Sequence, residues 1–185
     1  EIDITKYDEK KFDKYRRNVV GYLFQTMNLL PHLNVIDNIV LPLKIQKSYT
    51  EEKKKEVEDL LDYIGLTNRK NHYPSELSGG EQQRVALIRA IAKNAEMVLC
   101  DEPTGELDSE NKKKVMKLLL DLHRQNPQIT IVIVTHDPDF KSIADRVLFI
   151  RDGKISYSIS GQELDNYREK ITVDEKIQGD RKSVV

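Results

Sequence analysis

The chain has 185 residues, with 38% hydrophobic and 33% charged side chains, and its 30 Lys and Arg nearly balance its 31 Asp and Glu, for a formal net charge of -1. This length suits one domain, and the balanced charge excludes the strongly basic field of a general nucleic-acid clamp. The single cysteine, Cys100, excludes an internal disulfide framework, and no apolar run approaches the roughly 18 residues that cross a bilayer.

The first half of the chain is predicted to hold one strand among helical segments. Residues Asp8–Asn18 are charged and compatible with a helix, and Val19–Phe24 form a short β-rich apolar run. The segment Pro31–Ile45 contains two prolines, which predicts an irregular chain with a short helix. Apolar residues spaced three and four apart then predict an amphipathic helix over Thr50–Gly65, where the glycine takes a left-handed conformation.

The second half alternates helices and strands. Ser78–Glu81 fits a capping box at the start of one helix, and Ser109–Gln125 is a second amphipathic helix. The apolar runs Met97–Cys100 and Thr130–Val134 are typical of strands buried on both faces of a parallel sheet, and Asp152-Gly153 predicts a hairpin turn between two later strands. This alternation predicts an α/β sheet with crossover helices.

Two adjacent carboxylates, Asp101 and Glu102, follow the strand Met97–Cys100. Ligands of open α/β sheets bind at the carboxyl ends of the strands. Adjacent residues at a strand end cannot share one direction, so the two acids are expected to do different jobs, such as positioning Mg²⁺ and orienting a nucleophile. An acidic turn without chemistry is the alternative.

Three further features are expected to contribute to the same site. His136 and Gln25 each follow a predicted strand, where an imidazole or an amide could face a ligand. Gly79 and Gly80 precede a helix, so their uncovered N–H groups and the helix dipole together favour an anion. The alternatives are a structural or merely exposed histidine and an ordinary capped helix.

Together these motifs closely resemble the nucleotide-binding domain of ABC transporters, over roughly Val19–Ile155. The resemblance implies that Leu77–Glu81 is the signature motif, Met97–Asp101 the Walker B strand and Gly105–Asp108 the D-loop. It implies an α/β fold of the P-loop NTPase type, with an ABC-type ATPase core and a helical subdomain that carries the signature motif.

The resemblance also implies a role for each site residue. Glu102 would polarise the attacking water, with His136 as the switch histidine and Gln25 as the Q-loop glutamine. Asp101 and Gln25 would hold Mg²⁺, and ATP would be the nucleotide. The implied nucleotide-binding residues are Ser78, Gly79, Gly80, Glu81 and Asp108.

One branch of the family matches best. Gly21–Gln25, Asn28–Pro31 and Asn38–Leu43, together with Leu77–Arg84, resemble the ATPases of bacterial lipoprotein-release, macrolide-export and antimicrobial-peptide-resistance systems and of the related cell-division pair. Glu106 departs from the asparagine usual in that branch. An acid there, close to the dimer seam, is expected to alter communication between the two ATP sites.

The implied domain organisation is a single, N-terminally incomplete ABC ATPase domain over residues 1–185. Residues 1–30 and 94–160 would form part of the RecA-like core, and residues 31–93 the helical subdomain with the signature motif. Residues 161–185 would form a C-terminal helix and a loose tail.

The sequence contains no Gly-x-x-x-x-Gly-Lys-[Ser/Thr] loop, whose amides and lysine bind the phosphates of the nucleotide. Its one Gly-Lys pair, Gly153-Lys154, lies in the predicted hairpin turn. Truncation is the favoured explanation and natural degeneracy the alternative. The P-loop strand is expected beside Met97–Cys100, so we expect an open edge on that strand, low stability and no ATP hydrolysis by these 185 residues alone.

The resemblance implies two partners and no nucleic acid. A second ABC ATPase domain, most simply a second copy, would pack head to tail so that ATP lies between the P-loop of one and Ser78–Gly80 of the other. A membrane transporter subunit would contact Asn28–Leu43, although a core role for the Leu and Ile residues there is the alternative. The protein would then lie at the cytoplasmic face of the membrane.

The predicted function is therefore the ATP-hydrolysing motor of an ABC export or membrane-remodelling system. Two alternatives remain open from the sequence. One is a regulatory module that contributes only its signature face, and the other is a soluble ABC ATPase that is not linked to transport.

Overall fold

The computed structural model describes residues 3–93, 95–105 and 107–166, and the chain divides into two compact units at the His136–Asp137 junction. No helix in this described part is both long enough and apolar enough to cross a membrane. In chain order the main elements are α1 (Glu9–Val19), β1 (Val20–Leu23), α2 (Val35–Ile45), α3 (Glu51–Tyr63), α4 (Gly79–Ile91), β2 (Met97–Asp101), α5 (Ser109–Gln125), β3 (Thr130–Val134), β4 (Arg146–Arg151) and β5 (Lys154–Ser160).

The first unit contains a parallel three-stranded sheet in the order β1-β2-β3. Cys100 of β2 pairs with Leu23 on one side and Ile133 on the other. The prediction of an open edge on the Met97–Cys100 strand is therefore wrong, because β1 and β3 occupy both sides of it. A further strand would have to add beside β1 or β3.

Only one face of this sheet is covered within the described residues. Leu23, Val98 and Cys100 are buried there, and burial raises the pKa of the Cys100 thiol to about 12, which fits a core residue. The prediction that β2 and β3 are buried on both faces is wrong, because alternate side chains of the sheet point to the uncovered face. On that face four large side chains are 41% to 59% exposed: Tyr22, Phe24, Val132 and Val134.

Helix α2 is longer and more regular than the two prolines of Pro31–Ile45 predict. The Asn34 side chain accepts a hydrogen bond from the Asp37 N–H and starts the helix, which then continues through Pro42. Val35, Ile39 and Leu43 are fully buried on one face. Burial of each such side chain is worth about 1.5–3 kcal/mol, enough together to offset a proline penalty of about 3 kcal/mol. A core role therefore accounts for these three residues.

The predictions for α3, α4 and α5 are confirmed. Thr50 caps α3, and Gly65 after it has a φ of 70°. Ser78 and Glu81 form the predicted capping box on α4. Helix α5 has the predicted bounds and buries the predicted apolar face, which comprises Val115, Leu118, Leu119 and Leu122.

The second unit contains the predicted hairpin of β4 and β5. Its turn, Asp152-Gly153, has φ values of 50° and 72°, as a two-residue turn of this kind requires. A helix begins after Gly161 and continues to residue 166. The rest of the predicted C-terminal helix and tail lies outside the described residues, as does Glu106.

Replacing Gly21 by alanine is expected to lower the free energy of unfolding by about 1–3 kcal/mol. A Cβ there would lie 2.2 Å from the carbonyl oxygen of Ala90, because α4 packs directly on β1. Gly79→Ala is the matched control, since a Cβ at Gly79 has nothing within 4 Å. Urea unfolding followed by circular dichroism measures both, and equal stability of the two variants would contradict this packing.

Candidate functional site

Glu102 stands at the point where β2 ends. Its N–H donates to the carbonyl of Val134 at 2.9 Å, which extends the pairing with β3 by one residue, and its own φ is 44°. A left-handed backbone is uncommon for a residue with a Cβ and is often found at functional sites. This turn directs the Glu102 side chain toward the end of β3. Asp101 is still part of β2, so the two adjacent carboxylates have different backbone conformations.

The Glu102 carboxylate is bound by the two residues that follow β3. The Thr135 hydroxyl donates to Oε2 at 2.9 Å, and the His136 N–H donates to Oε1 at 3.0 Å. The His136 ring contributes a third contact, from Nδ1 to Oε1 at 2.9 Å. The structure thus brings Glu102 and His136 together, in agreement with the sequence-based expectation that both lie at one sheet edge.

These contacts determine the charge of Glu102. Burial raises its pKa, but the hydrogen bonds from the His136 ring, the Thr135 hydroxyl and the His136 N–H outweigh burial, so the net pKa lies below its usual value of 4.5. The side chain is 18% exposed. Glu102 is therefore a fixed, ionised carboxylate that still reaches solvent, which suits it to orient a bound water.

The His136 ring can face a ligand with its other nitrogen. An ionised carboxylate only accepts hydrogen bonds, so Nδ1 carries the hydrogen that Glu102 binds. Nε2 is then an acceptor in the neutral ring and a donor only in the imidazolium form. The side chain is 83% exposed, so this nitrogen can reach a phosphate that approaches the sheet edge.

Gln25 and Asp101 lie near the carboxyl ends of the paired strands β1 and β2. In the described part of the chain Gln25 makes no hydrogen bond to Asp101, Glu102 or His136, although it lies at the same edge of the sheet. No group of three or more His, Cys, Asp or Glu side chains in that part could hold a metal ion. One carboxylate and one amide oxygen nevertheless fit Mg²⁺ that also binds substrate phosphates, which needs few protein ligands.

The start of α4 is a capped helix N-terminus. The Ser78 hydroxyl accepts the Glu81 N–H at 3.3 Å, and Glu81 Oε2 accepts the Ser78 N–H at 2.8 Å. That bond from the Ser78 N–H lowers the pKa of Glu81, against the effect of burial. Since Glu81 is engaged in the cap, the exposed Ser78 and Gly79 are the groups left to meet an anion.

The two glycines of this motif have different reasons to lack a side chain. A Cβ at Gly80 would lie 2.5 Å from Cγ of Asn111, so α5 itself requires this glycine. A Cβ at Gly79 would meet nothing within 4 Å. The space at Gly79 is open within the chain, as expected where a backbone must come close to a ligand.

Asp108 is connected to α4 through Asn111. It caps α5, with its Oδ1 accepting the Asn111 N–H at 2.9 Å, and its Oδ2 accepts the Asn111 amide at 2.6 Å. These bonds lower the pKa of Asp108. Asn111 Oδ1 in turn accepts a hydrogen bond at 3.1 Å from Arg84 of α4. The connection joins the start of α5 to α4 within one chain.

A second link connects α4 to the segment after Glu102. The Gln83 amide nitrogen donates to the Pro103 carbonyl at 2.8 Å, and Gln83 is 2% exposed. Sequence reasoning missed Gln83 and Thr135. The signal for Gln83 was present, because it shares one helix face with the buried Leu87 and Ala90, and a polar residue on an apolar face indicates a specific hydrogen bond.

The sequence profile described as "ABC transporter" matches residues 1–105. The chain is 40% identical over 158 residues to the ABC transporter ATP-binding protein YtrE of Bacillus subtilis (strain 168), covering 85% of the chain and 68% of YtrE. It is 41% identical over 154 residues to the lipoprotein-releasing system ATP-binding protein LolD of Syntrophus aciditrophicus (strain SB), covering 83% and 69%. The macrolide export ATP-binding/permease protein MacB of Chlorobaculum tepidum is 39% identical to the chain over 153 residues. This match covers 83% of the chain but only 23% of MacB.

Solved structures of ATP-binding cassettes are also similar to the chain. The ATP-binding cassette MJ0796, in a dimeric post-hydrolysis state bound to ADP and Pi, superposes with a TM-score of 0.74 at 34% identity, covering 86% of the chain and 70% of that protein. CbiO1 of Clostridium perfringens, part of the CbiONQ transporter complex, gives a TM-score of 0.77 at 26% identity, covering 92% and 67%. The predicted α/β ATPase fold is confirmed by these neighbours.

Proposed function

Because the chain belongs to the ABC transporter family of ATP-binding domains, we propose that it is the ATP-hydrolysing part of an ABC transporter of the export or membrane-remodelling type. The observation that carries this proposal is the Glu102 carboxylate, fixed at the sheet edge by Thr135 and His136. Phosphoryl transfer needs positioning and electrostatic stabilisation more than covalent chemistry. Glu102 would orient the attacking water, and His136 in its imidazolium form would donate from Nε2 to the γ-phosphate.

Two residues would hold Mg²⁺ together with the nucleotide phosphates. These are Asp101 and Gln25, at the ends of neighbouring strands. The ion, when bound, neutralises charge on the β- and γ-phosphates. Gln25 would also place an amide beside the water that Glu102 orients, so that metal and water share one protein neighbour.

The signature motif would serve a nucleotide held by a second copy of the chain. Ser78 and Gly79 are exposed at the N-terminus of a 13-residue helix, where N–H groups and the helix dipole favour an anion. Gly80, Glu81 and Asp108 would support this surface through the cap and the Asn111 connection. The dimeric state of MJ0796 is consistent with such a head-to-tail arrangement.

A membrane subunit would be the second partner, contacted through the helical subdomain of residues 31–93. The core already uses Val35, Ile39 and Leu43, so this contact would use the parts of α2 that remain accessible, such as Ile36 and Ile45. The relatives LolD and MacB are named for lipoprotein release and macrolide export. On this proposal the chain is a peripheral ATPase at the cytoplasmic face, with residues 1–30 and 94–160 as its nucleotide-binding core.

The composite site can be tested with Gly79→Asp. We define the completed version as the 185-residue chain fused behind an N-terminal segment from an ABC ATPase that carries the Gly-x-x-x-x-Gly-Lys-[Ser/Thr] loop. In it, Gly79→Asp is expected to lower turnover by about 10²-fold, the cost of losing one oxyanion contact, since a carboxylate there repels phosphate. The fold should tolerate the change, because a Cβ at Gly79 is unhindered and an acid stabilises a helix N-terminus.

Mixing two inactive variants gives the decisive measurement. Gly79→Asp disables the signature motif, and alanine at the P-loop lysine of the completed version disables the other half of the site. An equimolar mixture should release phosphate from ATP faster than either variant alone, because one site of a mixed dimer is intact. If the mixture is no faster although each variant folds and the unsubstituted completed version is active, the composite site is wrong.

A further inference from the structure

Arg89 connects α4, called here the signature helix because it begins within the motif Leu77–Glu81, to the loop that follows Gln25. Its guanidinium, from the last turn of α4, donates from Nη2 to the carbonyl of Met27 at 2.6 Å and from Nη1 to the carbonyl of Asn28 at 2.7 Å. The two partners lie 62 and 61 residues earlier in the chain. One planar side chain thus fixes two consecutive peptide groups.

The backbone at these two residues is unusual. Met27 has a φ of 50° and Asn28 a φ of 46°, so both adopt the left-handed conformation. Asparagine tolerates this region, but methionine does so only when the surrounding structure compensates. The left-handed pair turns both carbonyls toward Arg89, and the two hydrogen bonds supply that compensation.

Arg89 is held in this position by carbonyls alone. Burial lowers its pKa, and no acidic side chain of the described residues forms an ion pair with it. A partly buried cation without a carboxylate depends on the few acceptors that remain. The Arg89 side chain and the left-handed loop therefore stabilise each other, and neither is expected to keep its conformation when the other is lost.

The next part of the loop is anchored to a different helix. Asn38 of α2 is fully buried, accepts the Leu30 N–H at 2.8 Å and donates to the carbonyls of Leu30 and Leu33 at 3.1 and 2.9 Å. Since α2 and α4 pack on each other, the loop is fastened to the helices at both points. Only Thr26 separates Gln25 from the part that Arg89 holds.

We propose that Arg89 is a positioning residue for Gln25, which ties the conformation of the Q-loop to the signature helix of the same chain. The proposal rests on the function proposed above for Gln25. When α4 changes its position on the sheet, for example as the signature motif engages a nucleotide, Arg89 carries the Gln25 loop with it. Arg89 itself touches neither nucleotide nor metal.

The first test measures the loop directly in the 185-residue chain. Arg89→Gln and Arg89→Lys should increase amide hydrogen exchange in residues 24–31. The increase should be smaller for lysine, which keeps the positive charge but lacks the planar pair of donors that binds both carbonyls. Lys93→Gln is the matched control, because Lys93 follows the same helix and donates to the Arg17 carbonyl at 2.9 Å, at the other end of β1. Unchanged exchange in residues 24–31 of Arg89→Gln would overturn the proposal.

The second test separates positioning from general stability. In the completed version, Arg89→Gln should lower kcat by about 10- to 100-fold, as small misplacements in an active site do, while KM for ATP changes little. Combined with Gln25→Ala it should cause little further loss, because residues that act through one another are not additive. Lys93→Gln should keep kcat near that of the parent.

The single variants Arg89→Gln and Gln25→Ala and their combination form a double-mutant cycle whose possible outcomes can be told apart. Losses that multiply in the double variant would show that Arg89 acts on the fold alone and would overturn the proposal. A Gln25→Ala variant with full activity would overturn it as well, since Arg89 would then have no catalytic partner to position. Failure of the function proposed for the chain would instead appear as full activity after substitution of Glu102, whatever Arg89 does.

Discussion

Glu102→Gln in the completed version is expected to slow steady-state ATP turnover by about 10²–10⁴-fold, the usual contribution of a positioned acid or base. Glutamine keeps the shape of the side chain and can still accept the His136 N–H, but it removes the negative charge that, on the proposed function, orients and polarises a water. Binding of ATP uses other groups, so its affinity should be nearly unchanged. Phosphate release measures the first effect, and equilibrium binding of a fluorescent ATP analogue measures the second.

A variant that binds ATP but does not hydrolyse it should also accumulate as a dimer. Size-exclusion chromatography with light scattering is expected to show dimer for Glu102→Gln with ATP and monomer with ADP. Asp62→Asn is the control, because Asp62 likewise accepts a hydrogen bond, that of the Thr67 hydroxyl at 3.1 Å, yet belongs to α3, outside the signature motif and the sheet. Turnover equal to the parent in Glu102→Gln would refute the assignment of Glu102.

The elements that sequence reasoning located well are those with local signals. The bounds of α5 and β3 agree with prediction because Asp108 caps the helix and a polar segment precedes the apolar run of the strand. The faces of the sheet were predicted wrongly, because burial of Val132 and Val134 depends on what packs on them and not on their own hydrophobicity. The regular helix through Pro42 was missed for a related reason, since tertiary burial overrides local propensity.

The residues of the site also fall into those that local sequence signals predict and those that depend on tertiary contacts. Glu102 and His136 could be predicted because each lies within two residues of the end of a strand in a parallel sheet, and the structure then brings them into contact. Arg89 could not be predicted, because its partners are backbone carbonyls that have no signature in the sequence. Asn111 is a similar case, since its contact with Arg84 spans 27 residues and depends on how closely α4 approaches α5.

The 185-residue chain alone is expected to show no Mg²⁺-dependent ATP hydrolysis, and the completed version is expected to show it. On the proposed function, a carboxylate, an imidazole and an amide at the described edge would face the γ-phosphate end of a nucleotide. The sequence, however, contains no Gly-x-x-x-x-Gly-Lys-[Ser/Thr] loop to bind its phosphates. Loss of such donors costs at least about 10²–10³-fold in rate each. Phosphate release measured for both proteins, at equal concentration, compares them directly.

The comparison needs a control for folding, because the added segment would also be able to cover the exposed face formed by Tyr22, Phe24, Val132 and Val134. Alanine in place of the P-loop lysine in the completed version provides it, since this variant keeps the full length and loses only the phosphate contact. It should be as stable in urea as the completed version and as inactive as the 185-residue chain. Activity in the 185-residue chain would contradict the prediction, and an active lysine variant would show that the segment acts by completing the fold, not by binding phosphate.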